Sequence, residues 1–303
     1  MSRAVLITDL DGTFLNPSGE LPANASEFLE TLDELSIDFW VATSRSPQNV
    51  CELFAPLSRC YVAVCSDGAV TITAESTKFD VTDEVLLPVE VSRDIVRTMR
   101  AQSPELEIFA FSGSACGFEI LHSSHERRIA SLEWLMKAFL DSRPIRPLKL
   151  GQDIPDRAFE SLRSLSWFAP RLILEPATRR LRLAIREHPV QLLHYPETRV
   201  PTAHAGQDMR DYSWTDVIAD GVDKATAVRK MLERERSDCP IIALGNGDND
   251  AALLTAATLS FAPSDSSESA RNSASCVLER PSGEPFVGSV LSMIREELVN
   301  GNR

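Results

Sequence analysis

Residues 4–15 read Ala-Val-Leu-Ile-Thr-Asp-Leu-Asp-Gly-Thr-Phe-Leu. An apolar, β-branched run delivers two carboxylates, Asp9 and Asp11, spaced i, i+2, and then turns at Gly-Thr. Positions i and i+2 of a strand share a face. The two acids therefore emerge together where the strand ends, the place at which open α/β sheets bind ligands. Two anions so close repel unless a cation or a shared proton offsets them. The pair reads as a Mg²⁺ site, as a nucleophile beside a general acid, or as both. The plainer alternative is an Asp-Gly turn whose acids merely cap loops.

The neighbouring segments build a parallel sheet around that strand. Strands are expected at Ala4–Thr8, Asp38–Ala42 and Tyr61–Cys65, separated by helices at Ala25–Leu35 and Pro47–Leu57. Asn24 and Glu27 stand in capping-box spacing, and Ser46-Pro47 offers an N-cap with a first-turn proline. This βαβαβ opening is the pattern of a parallel sheet. A hairpin (Val70–Thr73, Thr77–Val81) leads away from it, and the texture changes. Helices are expected at Val89–Ala101, His125–Leu140 and Arg157–Leu165. They mix with short strands at Leu106–Phe111, Phe118–Leu121, Arg171–Glu175 and Arg180–Ile185, broken by proline-rich segments at Ser142–Pro155 and His188–Thr202. The α/β texture returns at Trp214–Ile218. It continues through a helix (Asp223–Glu235), a strand (Pro240–Leu244), a helix (Asn249–Thr255), a strand (Leu259–Ala262) and a last helix (Glu284–Leu298). The expected organisation is an α/β core over 1–82 and 206–303, interrupted by an α+β module over 83–205.

Charge supports this division. The 303 residues carry a net charge of −13, which argues against nucleic-acid or anionic-membrane partners. Residues 81–205 hold 17 basic and 16 acidic side chains, whereas the remainder holds 14 and 28. A hydrophobic content of 43% describes an ordinary globular chain. No apolar run approaches the ~20 residues that span a bilayer, and the N-terminus enters a strand without the regions of a signal peptide. Cys51, Cys60, Cys65, Cys116, Cys239 and Cys276 lack metal-ligand spacing and read as reduced thiols of a cytoplasmic protein.

Beyond Asp9 and Asp11, three stations on the α/β parts suit phosphoryl transfer. Thr43 ends the second strand, where a hydroxyl and neighbouring amides can meet a phosphoryl oxygen; a threonine there is more often a cap. Lys224 opens a helix after Asp220-Gly221-Val222-Asp223 and could place an ammonium where helix-end amides converge. Alone it would be a solvated side chain. Gly245-Asn246-Gly247-Asp248-Asn249-Asp250 follows a strand directly, and its cluster of oxygen donors suits a hard cation. A helix comes next, so this loop is not a simple hairpin.

Together these segments resemble the haloacid dehalogenase superfamily, in the Cof-like branch whose large class IIB cap interrupts the core. Asp-Leu-Asp-Gly-Thr (9–13) is similar to its first motif, Ala-Thr-Ser-Arg (42–45) to its second, Lys224 to its third and Gly-Asn-Gly-Asp-Asn-Asp (245–250) to its fourth. The resemblance implies a Rossmann-like core and a substrate-selecting cap. It implies that Asp9 forms an aspartyl-phosphate and that Asp11 protonates the leaving oxygen and then activates water. Mg²⁺ would be held by Asp9, the Asp11 carbonyl and Asn246, with Asp250 in support, while Thr43, Ser44, Lys224 and Asn249 would bind phosphoryl oxygens.

Three residues depart from that pattern. Asn246 replaces an acid, so Asp248 or Asp250 could share the metal. Ser44 replaces a glycine. Asp67-Gly68-Ala69 stands where the branch has Asn-Gly-Ala, which points Asp67 toward a substrate hydroxyl or a cation. In the cap, Arg127, Arg128, Arg179, Arg180, Arg182 and Arg186 are candidates for an anionic substrate, against the simpler reading of a solvated surface. The expected activity is a Mg²⁺-dependent phosphatase for a small phosphorylated metabolite, a sugar or polyol phosphate, acting as a monomer or homodimer. A phosphomutase and a catalytically weakened regulatory or scaffold protein are the alternatives, the second motivated by Asn246.

Overall fold

The computed structural model describes residues 4–103, 106, 108–114, 117–123, 145–148, 154–195, 212–235 and 238–300. The first segment runs β1 (Ala4–Thr8), α1 (Ala25–Glu34), β2 (Ile37–Ala42), α2 (Pro47–Phe54), β3 (Cys60–Cys65), β4 (Val70–Glu75) and β5 (Lys78–Glu84). The middle carries α3 (Val89–Gln102), β6 (Ile108–Ser114), β7 (Gly117–Ser123), β8 (Ile145–Leu148), α4 (Asp156–Phe159), β9 (Ser164–Pro170), α5 (Arg171–Ile185), β10 (Val190–Tyr195) and β11 (Tyr212–Ala219). The last segment adds α6 (Lys224–Glu235), β12 (Ile241–Leu244), α7 (Ala251–Ala256), β13 (Leu259–Ala262), α8 (Glu268–Ser273), β14 (Cys276–Val277) and α9 (Glu284–Asn300). Two compact units result: residues 4–84 with 223–300, and residues 85–222 within their respective described parts.

The first unit is a sheet in the order β14-β13-β12-β1-β2-β3-β4-β5, parallel from β14 to β3 and antiparallel at β4 and β5. β1 sits in its middle, so the run Ala4–Thr8 is buried throughout, as a parallel strand covered on both faces must be. Alternation sorts the side chains. Val5, Ile7, Trp40, Ala42, Val62 and Val64 pack with Ala227, Val228, Met231 and Leu232 of α6. On the other face Phe39 meets Phe14, Phe28 and Phe54 at centroid distances of 5.6, 6.5 and 5.8 Å. These aromatic contacts lie directly behind the turn that carries Asp11, and Phe14 belongs to that turn. At the sheet's edge β5 alternates exposed and half-buried positions.

The second unit is a mainly antiparallel sheet, β10-β11-β9-β6-β7-β8, with only β7 and β8 parallel. One face is covered by α3 and α5 around Trp167, Leu165, Leu174, Leu181 and Val217. Here the structure corrects the sequence reading at three places. Residues 171–185 form one helix rather than two strands, because Leu174, Ala177, Thr178, Leu181 and Ile185 line a single helical face. Tyr212–Ala219 belongs to this sheet and not to the core, paired antiparallel with β9 and β10, so the chain rejoins the core at Asp223. The segment expected as a helix at Arg157–Leu165 is instead the short α4 followed by the start of β9. The helix expected at His125–Leu140 lies outside the described residues.

One contact decides how closely β3 and α6 approach. Gly68 has φ +106°, and a Cβ there would lie 2.5 Å from the Asp223 carbonyl oxygen at the entrance to α6. Gly68→Ala therefore combines a strained backbone with a backbone overlap. It is expected to destabilise the protein by about 2 kcal/mol or more, read as a lowered unfolding midpoint in urea. An unchanged midpoint would show that this approach is not constrained.

Candidate active site

The site is built at the carboxyl ends of the parallel strands, from the loops after β1, β2, β3 and β12 and from the first residue of α6. At its centre lies the Lys224 ammonium, 1% exposed. It donates to Asp9 Oδ1 at 2.6 Å and to Asp250 Oδ1 at 2.7 Å. Asp223 caps the helix behind it, accepting from the Thr226 N–H at 2.8 Å and the Thr226 hydroxyl at 2.7 Å. Burial disfavours the charged form of Lys224, but the nearby Asp250, Asp9 and Asp67 outweigh it and keep the ammonium protonated. Asp9 feels burial and the Asp250 charge more strongly than the pull of Lys224, and is pushed up to about 7.

Asp250 spends its second oxygen on its own loop. Oδ2 accepts from the Asn246 N–H at 3.0 Å and the Gly247 N–H at 2.8 Å, which winds the 245–250 segment tightly around it. With one oxygen on Lys224 and the other on two amides, Asp250 orients the loop and the lysine rather than offering a direct metal ligand. Asp248 is exposed and Asn246 is buried.

Asn246 faces Asp9. The Thr13 hydroxyl stands 3.3 Å from Asp9 Oδ2 and 3.0 Å from Asn246 Oδ1. A single hydroxyl has one proton for these two acceptors, so two oxygens of different motifs converge on one spot without a full complement of donors. Gly12, at φ +77°, makes the approach possible, because a Cβ there would overlap the Asn246 carboxamide. Hard oxygen donors in this arrangement fit Mg²⁺. Among the described residues no group of three or more His, Cys, Asp or Glu side chains is placed to hold a metal, because the second donor is an amide and Asp250 is otherwise engaged.

Asp11 is held separately. Arg45 grips it with Nε to Oδ2 at 2.7 Å and Nη2 to Oδ1 at 2.6 Å, and braces itself on Asn49 Oδ1 at 2.9 Å. On the loop after β2, Thr43 is buried, and its hydroxyl accepts from the Arg45 N–H at 3.1 Å. Ser44, Asp67 and Asn249 form a hydrogen-bonded triangle beside it.

The sequence model of the haloacid dehalogenase-like hydrolases matches residues 6–131 and 191–283, which span both segments of the core. The chain belongs to that family. A haloacid dehalogenase-like hydrolase from Bacteroides thetaiotaomicron superposes on it with a TM-score of 0.73 at 20% identity, covering 97% of this chain and 100% of that one. The solved TM0651 of Thermotoga maritima gives 0.70 at 17% identity over 97% of both chains. A sugar phosphatase of HAD subclass IIB gives 0.67 at 15% identity, covering 97% of this chain and 98% of that one. At these identities the likeness is one of fold. A phosphoglycolate phosphatase of Methanopyrus kandleri is 38% identical over 78 residues, 25% of this chain and 33% of that protein.

In this haloacid dehalogenase-like hydrolase the residues expected from sequence, Asp9, Asp11, Thr43, Ser44, Lys224, Asn246, Asn249 and Asp250, all lie within one set of loops in one unit. Of the middle unit's candidates, Arg179, Arg180 and Arg182 lie on α5 and Arg186 caps its end. Arg180 donates to the Ser103 hydroxyl at 3.1 Å beside α3, and Arg182 is exposed on α5. Arg127 and Arg128 lie outside the described residues. Sequence reasoning gave no role to Arg45 or Thr13, although both belong to the quoted motifs. The signal for Arg45 was its place two residues beyond Thr43, on a loop opposite an acid that needed a partner.

Asp11 is half exposed, so its ion pair contributes little to stability, about 0–1 kcal/mol; what the two-pronged grip fixes is orientation. Arg45→Lys keeps the charge and loses the fork. Turnover is expected to fall about tenfold or more, with the unfolding midpoint unchanged. An unaltered rate would show that Asp11 is positioned by something else.

Proposed function

We propose that this hydrolase is a Mg²⁺-dependent phosphatase of a small phosphomonoester, with a sugar or polyol phosphate as the expected class, acting through a phosphoryl group carried on Asp9. The observation that carries the reading is the separate anchoring of the two acids. One Asp9 oxygen is fixed on Lys224 while the other faces Asn246 and Thr13, and Asp11 is gripped by Arg45. A nucleophile and a proton carrier need this independence, since one must stay aimed while the other changes its protonation.

In this reading an Asp9 carboxylate oxygen attacks phosphorus as the bond to the ester oxygen breaks, and Asp11 gives its proton to that leaving alcohol. Asp11 then takes a proton from water, which attacks the phosphoryl group on Asp9 and releases orthophosphate. Lys224, the Thr43 hydroxyl and the Ser44 and Asn249 donors offset charge on the phosphoryl oxygens. Asp9, the Asp11 carbonyl and Asn246 would hold Mg²⁺. When bound, the ion neutralises phosphoryl charge as the bonds exchange. Residues 85–222 would select the ester, in keeping with the sugar phosphatase and the phosphoglycolate phosphatase among the similar proteins.

A second reading, a weakened regulatory protein, draws on Asn246 and the missing third acid. Phosphate release over a panel of sugar, cyclitol and nucleotide monophosphates separates the two. The phosphatase reading expects Mg²⁺-dependent hydrolysis of at least one ester, abolished by Asp9→Asn. Residual turnover within tenfold of the parent would remove Asp9 as nucleophile.

Asn246→Asp restores a full charge beside the cation. It is expected to lower the Mg²⁺ concentration for half-maximal activity at least fivefold, and Asn246→Ala to raise it or abolish activity. Identical Mg²⁺ titrations for all three proteins would place Asn246 outside the coordination sphere. Activity gained only on Asn246→Asp would favour the weakened-protein reading. Asp9 must also lose its proton to serve as ligand. Because burial and Asp250 raise it to about 7, Mg²⁺ affinity measured by calorimetry is expected to weaken as the pH falls below 7.

A further inference from the structure

Asp67 is a buried carboxylate that neither the acid pair nor the cation pocket uses. It sits on the loop after β3 at φ +55°, a left-handed backbone that Asp and Asn tolerate better than other residues bearing a Cβ. Its N–H donates to the Thr43 carbonyl at 3.1 Å, which pins the loop against the end of β2. Its Oδ1 accepts from the Ser44 hydroxyl at 2.7 Å and from the Asn249 amide at 2.8 Å. The Asn249 amide also reaches the Ser44 hydroxyl at 3.2 Å. Asp67 is close enough to Lys224 to help keep it protonated. Two neutral donors and the field of a buried ammonium therefore already converge on one internal anion.

A phosphoryl group entering the pocket proposed above needs the same donors. It arrives with like charge in a poorly hydrated place, where repulsion is only partly screened. To bind, it must take Ser44 and Asn249 from Asp67. We propose that Asp67 sets the affinity of the phosphoryl pocket, as an internal anion that occupies the Ser44 and Asn249 donors until a phosphoryl group displaces it and so keeps orthophosphate from accumulating there. The penalty falls on every state that places a phosphoryl group in the pocket, ester, transition state and product alike. Such uniform binding effects appear in KM rather than in kcat. A residue that merely braced Ser44 and Asn249 in a binding-ready pose would have the opposite signature.

The inference rests on the phosphatase reading, and the experiment keeps the two apart. Orthophosphate binding is measured by calorimetry in saturating Mg²⁺, alongside KM and kcat for the best ester of the panel, on the wild type and on Asp67→Asn. Asparagine keeps the left-handed backbone and removes the charge. The Kd for orthophosphate and KM are each expected to fall tenfold or more, with kcat unchanged or reduced. In a Ser44→Ala, Asn249→Ala background the same substitution is expected to gain less than threefold, since the contested donors are gone. If Asp67→Asn fails to fold, Asp67→Gly removes the carboxylate without backbone strain and carries the same expectation. Equal or weaker orthophosphate binding by the variant, in a protein that hydrolyses the ester, overturns the role of Asp67 and leaves the phosphatase standing. If the wild type hydrolyses no ester and neither protein binds orthophosphate, both readings fall together.

Discussion

A single ammonium, that of Lys224, lets the rest of the site exist. Asp9, Asp250 and Asp67 crowd a volume with almost no access to solvent. Without a cation among them at least one would have to take up a proton or move away. Removing one member of such a buried arrangement exposes the others to an uncompensated charge, at a cost of about 3–5 kcal/mol. The lysine comes from the far side of the insert. Residues 9 and 224 are separated by 215 positions, so the charge that makes the first motif tolerable arrives only when the chain has passed through the second unit and returned. Function and the closing of the discontinuous core therefore share one contact.

The core was legible because its elements agree at several levels. The buried run before Asp9, the capped helix after Ser46 and the strand before Gly245 each carry local signals that match their place in a parallel sheet. The insert was harder to read, and for identifiable reasons. In residues 171–185 two short apolar stretches, Arg171–Glu175 and Arg180–Ile185, read as strands. The helical face that decides the matter emerges only over the full fifteen residues, and Leu172 stays almost wholly exposed. Trp214–Ile218 was placed with the core as the return of its α/β texture. The polar pair Thr215-Asp216 interrupts that run, unlike the uninterrupted Ile241–Leu244 beside β1. The motif residues, which lie in one unit of the fold, could be picked out in the sequence. Their partners could not, because which of Asp11, Asp67 and Asp250 faces Arg45, Asn249 or Lys224 depends on loops that meet only in the folded sheet.

Two residues depart from the motifs the chain resembles. In the reading proposed above, Asn246 takes a negative charge away from the cation and Asp67 adds one beside the phosphoryl group. The number of carboxylates around Asp9 is the same as if the two had been exchanged. Their neighbours differ, however. Asn246 shares a hydroxyl with Asp9, whereas Asp67 draws on Ser44 and Asn249. In that reading the exchange would change where the negative charge sits rather than how much of it the pocket contains.

The edge strand β5 has a consequence of a different kind. An outermost strand exposes unpaired backbone groups and invites a second chain to add to the sheet. Here the exposed positions are Lys78, Asp80, Thr82 and Glu84, and Arg234 Nη2 bonds the neighbouring Asp83 at 2.7 Å. The charged side chains of this border discourage edge-to-edge aggregation already at the stage when a nascent chain has completed its first five strands, and Arg234 adds its contact only once the chain has passed the insert.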